Sequence, residues 1–139
     1  MRTPIRAIFF DIGNTLGTVD LKTKTLSPFA DMVGLLKTAS RFFQVPIGVI
    51  TDIPESWELH DVEMLLSGAG ILTFLDARGI ITSKDAKATK SDGPQIFSYA
   101  AKQLGEETSA CFFIDDNATN VANACAAGMS AIQKTKPGP

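Results

Sequence analysis

Short, unbroken apolar runs alternate along the chain with apolar stripes at helical spacing. The runs are Ile5–Phe10, Pro46–Ile50, Gly79–Thr82 and Ala110–Ile114, with a weaker one at Ser130–Ile132. Each is strand-sized and bounded by turn residues, the pattern of a strand buried on both faces. Between the runs, four stripes repeat with a period of about 3.6 residues. The first holds Phe29, Met32, Val33, Leu36 and Phe43, and the second Val62, Leu65, Leu66 and Ala69. The third holds Phe97, Ala100, Ala101 and Leu104 and stops at Gly105; the fourth holds Val121, Ala124 and Cys125 and stops at Gly128. A glycine just past a helical stripe suits the left-handed residue that closes a helix. Strands alternating with helices predict an α/β fold, a three-layer, Rossmann-like parallel sheet with right-handed crossovers and helices on both faces.

The length of 139 residues suits a single domain spanning 1–139, with the Pro/Gly-containing end Lys136–Pro139 expected to be a flexible tail. Apolar residues make up 45% and charged residues 20%, a globular balance. Thirteen basic and fifteen acidic side chains give a net charge of −2, with no basic stripe of the kind that binds nucleic acid. No apolar run reaches membrane-spanning length, and Asp11 interrupts the apolar stretch that follows Arg6, so no signal peptide is expected. Cys111 and Cys125 lack metal-ligand spacing and read as buried free thiols, which fits a reducing cytoplasm.

An open parallel sheet binds its ligand at the carboxyl ends of its strands, where strand order reverses. Polar residues stand at those ends here: Asp11 after the first run, Thr51-Asp52 after the second, Asp115-Asp116 after the fourth. Two acidic ends with a hydroxyl between them converge on one edge and mark it as the place for chemistry, with the two carboxylates suited to a cation. Taken alone, Asp11 also suits a capping role in a turn, and Thr51 is a common strand-end residue.

The segment Phe9-Phe10-Asp11-Ile12-Gly13-Asn14-Thr15-Leu16 resembles the first motif of the haloacid dehalogenase-like hydrolases, an apolar strand followed by Asp-x-Asp-Gly-Thr-Leu. The resemblance implies that Asp11 is the nucleophile that takes up the phosphoryl group and binds Mg²⁺, with the Gly13 carbonyl as a further ligand. Thr51 matches the second motif, a hydroxyl that donates to the phosphate. Ser83 followed by Lys90-Ser91-Asp92-Gly93-Pro94-Gln95-Ile96-Phe97 has the layout of the third, which makes Lys90 the neutralising lysine in preference to Lys84 or Lys87. The run Phe112-Phe113-Ile114-Asp115-Asp116-Asn117-Ala118-Thr119-Asn120-Val121, with Gly128-Met129 beyond it, is similar to the fourth. There Asp116 would bind the metal, Asp115 would orient ligands from behind, and Asn120 would hold the loop. Ile12, Gly13, Thr51, Asp52 and Lys90 would surround the substrate phosphate. The resemblance runs from about Ile5 to Ile132, with its segments in the family's order.

Gly13 departs from the pattern. Most phosphatases of this family carry a second Asp there, which protonates the leaving oxygen and then activates water, and general acid–base help is worth on the order of 10²–10⁴ in rate. Asp52, Glu55 and His60, just after the second strand, are the candidate substitutes; Glu55 also suits a helix-capping charge, and His60, the one histidine, a partly buried helix start. Gly17–Ser27 is expected to be a flap-sized loop and Ser83–Lys90 a short turn, which leaves no room for a cap domain. An open site disfavours the small haloacids of the dehalogenases and suits macromolecular phosphates, or a cover borrowed from a second copy of the chain. The expected function is therefore an Mg²⁺-dependent phosphatase or phosphotransferase acting through an aspartyl-phosphate on a phosphorylated substrate. The alternative is a non-catalytic domain that keeps the fold for metal, phosphate or protein binding.

Overall fold

The computed structural model describes residues 4–135; the expected tail at 136–139 lies outside them. Its strands and helices are β1 (Ala7–Phe10), β2 (Gly17–Asp20), β3 (Thr25–Pro28), α1 (Ala30–Thr38), β4 (Ile47–Thr51), α2 (Leu59–Gly68), β5 (Ile80–Thr82), α3 (Ser83–Ala86), α4 (Gln95–Gln103), β6 (Cys111–Asp115), α5 (Ala118–Ala127) and β7 (Ser130–Gln133). Five strands form one sheet in the order β5-β4-β1-β6-β7, every pair parallel. The five apolar runs are these strands, with ends displaced by a residue or two. From β1 the chain builds outward through β4 to β5, then crosses back to place β6 on the other side of β1. Strand order thus reverses between β1 and β6, whose carboxyl ends carry Asp11 and Asp115-Asp116.

Alternation sends side chains of each strand to opposite faces, so the sheet separates two clusters of buried residues. Phe10, Val49 and Ile80 pack with Met32, Leu36, Val62 and Leu66 of α1 and α2. Phe9, Ile50, Ile81 and Phe113 pack with Ile96, Phe97, Ala100 and Ala124 of α4 and α5. Phe97 meets Phe113 edge-on, ring centroids 5.0 Å apart. Each large side chain so buried contributes about 1.5–3 kcal/mol, and together they fix the strand ends on which the polar residues stand.

The structure corrects several expectations. Gly17–Ser27 is not a loop: β2 and β3 pair as an antiparallel hairpin over Gly17–Pro28. A Cβ on Gly17 would lie 2.2 Å from the Ser27 carbonyl oxygen, so only glycine lets the hairpin close there. Within Ser83–Lys90, Ser83–Ala86 forms the one-turn helix α3, capped by the Thr82 hydroxyl. The stripe ending at Phe43 does not continue as one α-helix; Ala39–Phe43 widens into a π turn that leaves Phe43 exposed. Cys111 is buried, and burial pushes its thiol up to about 11, but Cys125 is exposed. Of the stripe expected on α5, Ala124 is buried and Val121 half-buried, but Cys125 faces solvent and Asn120 takes the remaining buried position. No helix among the described residues is long and apolar enough to cross a membrane.

Candidate active site and metal centre

Three carboxylates meet where strand order reverses. Asp11, Asp115 and Asp116 each bring an oxygen within 4.8 Å of the others. Asp11 leaves the end of β1 with its amide bonded to the Ile114 carbonyl at 2.9 Å, which locks the β1 and β6 termini together. The chain then turns sharply. The Ile12 carbonyl accepts from the amides of Thr15 (3.2 Å) and Leu16 (2.9 Å), and Asn14 takes the left-handed conformation at φ 63°.

That turn aims Thr15 inward. Its side chain is fully buried, and its hydroxyl lies 3.1 Å from both Asp11 Oδ2 and Asp116 Oδ1 while accepting from the Asp116 amide at 3.1 Å. One hydroxyl thus joins the first and last polar strand ends. Sequence reasoning gave Thr15 no role, because a Thr inside a turn carries no periodic signal and its partner lies 101 residues away.

Lys90 reaches the cluster from the loop after α3. Its ammonium, 3% exposed as a residue, donates to Asp11 Oδ1 and, at 3.4 Å, to Asp115 Oδ2. Its backbone is held on both sides: the amide donates to Asp52 Oδ1 at 3.0 Å, and the carbonyl accepts from Asn123 Nδ2 at 2.9 Å. Lys84 is committed elsewhere, in an ion pair with Glu58 at 2.6 Å.

Asp115 is fully buried and its oxygens are occupied: Oδ1 accepts from the Asn117 amide (2.9 Å), Oδ2 from Asn120 Nδ2 (3.0 Å) as well as from Lys90. Asn120 therefore does hold this loop, and Asn117 caps α5 by accepting from the Asn120 amide at 3.1 Å. At the end of β7, Gln133 Nε2 donates to the Asp116 carbonyl (3.1 Å), and just beyond it Lys134 Nζ donates to the Thr15 carbonyl (3.2 Å), two tethers that no sequence feature announced.

These contacts surround a cleft of about 330 Å³ that Asp11, Ile12, Gly13, Thr51, Asp52, Lys90, Asp115 and Asp116 all line. The Thr51 hydroxyl contacts the Asp52 carbonyl at 3.4 Å. Of the three candidate acid–base substitutes only Asp52 borders this cleft. Glu55 lines a neighbouring depression with Lys84 and Lys87, and His60 is exposed on α2 rather than partly buried. Glu55 does not cap α2 either; Glu58 and Asp61 form a reciprocal capping box there. At Gly13 an added Cβ would meet nothing within 4 Å.

Burial pushes the Asp11 carboxyl up to about 7 from its ordinary 3.8, against the opposing pull of Lys90, and the neighbouring Asp115 adds to the rise. Burial works to lower the Lys90 pKa, but Asp11 and Asp115 outweigh it, so the lysine is held above its ordinary range. Three carboxylates against one ammonium leave excess negative charge in a desolvated site. Hard oxygen donors in this arrangement suit a divalent cation such as Mg²⁺, which few carboxylates plus water and phosphate oxygens satisfy.

No family model matches the sequence, nor does any curated protein. The architecture is shared with many solved structures. An L-2-haloacid dehalogenase from Xanthobacter autotrophicus, with chloropropionic acid covalently bound, superposes with a TM-score of 0.75 at 13% identity, over 93% of this chain and 77% of that one. An HAD family hydrolase from Deinococcus radiodurans with bound phosphate and sodium gives 0.62 at 18% identity, over 93% and 80%. A dehalogenase solved with an intermediate complex gives 0.70 at 20% identity over 84% of this chain, which spans 48%, about half, of that protein. The fold of this chain is that of the haloacid dehalogenase-like hydrolases.

Proposed function

We propose that the chain is a hydrolase of the haloacid dehalogenase superfamily, an Mg²⁺-dependent phosphatase or phosphotransferase that works through an aspartyl-phosphate at Asp11. The observation that carries this reading is Asp11 itself: a buried carboxylate at the point of strand reversal, flanked by Lys90 on one oxygen and by the Thr15–Asp116 contact on the other. Asp11 and Asp116, with the Gly13 carbonyl, would hold Mg²⁺, which when bound offsets the repulsion between a phosphate dianion and the attacking carboxylate. The occupied oxygens of Asp115 favour an orienting role for it.

In the first step an Asp11 oxygen bonds to phosphorus while the bond from phosphorus to the leaving oxygen breaks, its electron pair departing with that oxygen. Lys90 stabilises the negative charge on Asp11 and on the phosphoryl oxygens, and the Thr51 hydroxyl and the amides near Ile12 and Gly13 orient them. In the second step water attacks the same phosphorus, the bond to Asp11 breaks, and the water proton passes to solvent or to Asp52. Gly13 offers no acid to the leaving oxygen, so esters of acidic alcohols and acyl phosphates should react fastest. The two free thiols support a cytoplasmic setting.

A hydrolysis screen over small phosphoesters, acyl phosphates and phosphopeptides, with Mg²⁺ and with chelator, tests the proposal. Mg²⁺-dependent phosphate release that is lost in Asp11→Asn is expected; release unaffected by either change contradicts it. The second reading, a binding domain without turnover, draws on Gly13, and it predicts that phosphate and Mg²⁺ bind with no release from any compound.

A further inference from the structure

The cleft around Asp11 has two unlike halves. One is the polar cluster already described. The other is a wall from the hairpin, the β4–α2 loop and α2: Val19, Leu21, Ile53, Pro54, Trp57 and Leu65 line the same space as Asp11 and Lys90. Four of these six, Val19, Ile53, Trp57 and Leu65, also belong to or pack against the core on that face of the sheet, so their place beside the cleft follows from that packing. Leu21 is different. It stands at the hairpin tip, 58% exposed and outside both core clusters, yet it borders the cleft. An apolar side chain held in solvent beside a polar site finds a partner when a ligand brings apolar surface to it.

Charge narrows the ligand further. Among the described residues that line the cleft, Lys90 is the one basic side chain. Two nearby lysines are engaged: Lys24 pairs with Asp61 at 2.8 Å and sits 5.4 Å from the Trp57 ring centre, and Lys84 pairs with Glu58. The cleft lining thus offers no second basic side chain to a further phosphate or a carboxylate on the leaving group. A space of about 330 Å³ lies at the small end of the usual range for ligand sites, roughly 300–1,000 Å³. Gly13 supplies no proton, so the leaving oxygen must depart as a stable anion; a phenol-like oxygen, with a pKa of about 10, does so far more readily than an aliphatic alcohol.

Building on the phosphatase reading, we infer that the substrates are aryl phosphates: one phosphoryl group on an uncharged, apolar ring that lies against Leu21, Ile53 and Trp57. Asp11 bonds to phosphorus as the bond from phosphorus to the aryl oxygen breaks, and that oxygen leaves with the electron pair as a phenolate. The apolar wall recognises the ring and the polar cluster recognises the phosphate.

Two phosphonates that cannot be hydrolysed separate the halves. Phenylphosphonate and methylphosphonate are titrated into the protein with Mg²⁺, followed by the fluorescence of Trp57, the single tryptophan of the chain, and by calorimetry. Phenylphosphonate should bind about 10-fold tighter or more, since burying a ring against apolar side chains is worth at least one decade of affinity. Leu21→Ser, at an exposed position where folding is safe, and Ile53→Ala should each cut that preference by about 3-fold while leaving methylphosphonate affinity unchanged. Equal affinity for the two phosphonates overturns the inference and leaves the phosphatase reading standing, as does a preference unaltered in both variants. Failure of both phosphonates and of inorganic phosphate to bind overturns the inference and the phosphatase reading together.

Discussion

Lys90 Nζ donates to Asp11 Oδ1 in the interior of the protein, joining residues 79 apart in sequence through a buried ion pair. The pair lies where the ends of the neighbouring strands β1 and β6, the α3–α4 loop and the turn after β1 come together. Its energetics are one-sided, because Asp11 also faces Asp115 and has lost water.

This yields a pH signature. The folded carboxyl of Asp11 is raised from 3.8 to about 7, so the metal-free fold holds its proton after the unfolded chain has lost it. A group raised in this way stabilises the fold fully below its unfolded pKa and loses that contribution as pH climbs through its folded pKa. In chelator, wild-type stability should fall from about pH 4 to pH 7 relative to Asp11→Asn, which carries no such proton. The melting-temperature gap in favour of Asp11→Asn should open across that window by about 5 °C or more and then level off. A gap that is flat with pH would contradict the burial argument.

Thr15 makes a second, separable prediction. Thr15→Val keeps the shape and removes the hydroxyl that links Asp11 to Asp116. Leaving those buried groups short of a partner should cost about 1–3 kcal/mol, seen as a lower denaturation midpoint, and should weaken Mg²⁺ binding by calorimetry. Thr15→Ser should retain most of both. If Thr15→Val binds Mg²⁺ like wild type, the hydroxyl is not what holds the two carboxylates in register.

The sequence revealed the sheet more fully than what surrounds the site, and the difference has a physical cause. A strand buried on both faces must be apolar throughout, so Ile8–Phe10 and Cys111–Ile114 stand out as runs. The hairpin Gly17–Pro28 is covered on one side only; Val19 and Leu26 are its sole inward apolar residues, among Thr, Asp and Lys. That is too thin an alternation to distinguish from a loop. Asp11, Asp115 and Asp116 were legible because they stand at strand ends, and Lys90 because its segment resembles the third motif of the haloacid dehalogenase-like hydrolases. Thr15, Asn123, Gln133 and Lys134 were not, since each acts on a partner distant in sequence that only the fold brings near. Cys125 and His60 show the error of a one-position shift: neighbours in sequence on a helix fall on different faces, and both lie on the solvent side.

Gly13 is the position where function can be added. Space is open beyond its Cα, and its backbone is outside the left-handed region that favours glycine. Gly13→Asp should therefore fold with a melting temperature close to wild type. A carboxyl there would face the leaving oxygen, and hydrolysis of a poorly activated phosphomonoester should rise by about 10-fold or more, a fraction of the usual acid–base contribution. Acyl phosphates should gain less, because their leaving groups need little protonation. A folded Gly13→Asp protein that binds Mg²⁺ and turns over neither class would favour the binding-domain reading.

The central claim is that Asp11 carries the phosphoryl group with Mg²⁺ beside it, and beryllium fluoride tests it most directly. With Mg²⁺ present, it should bind the Asp11 carboxylate as a mimic of the aspartyl-phosphate and raise the melting temperature in proportion to ligand excess. The wild type should shift upward only when Mg²⁺ and beryllium fluoride are both present, and Asp11→Asn should not shift at all. An equal shift in Asp11→Asn, or none in the wild type, would contradict the account.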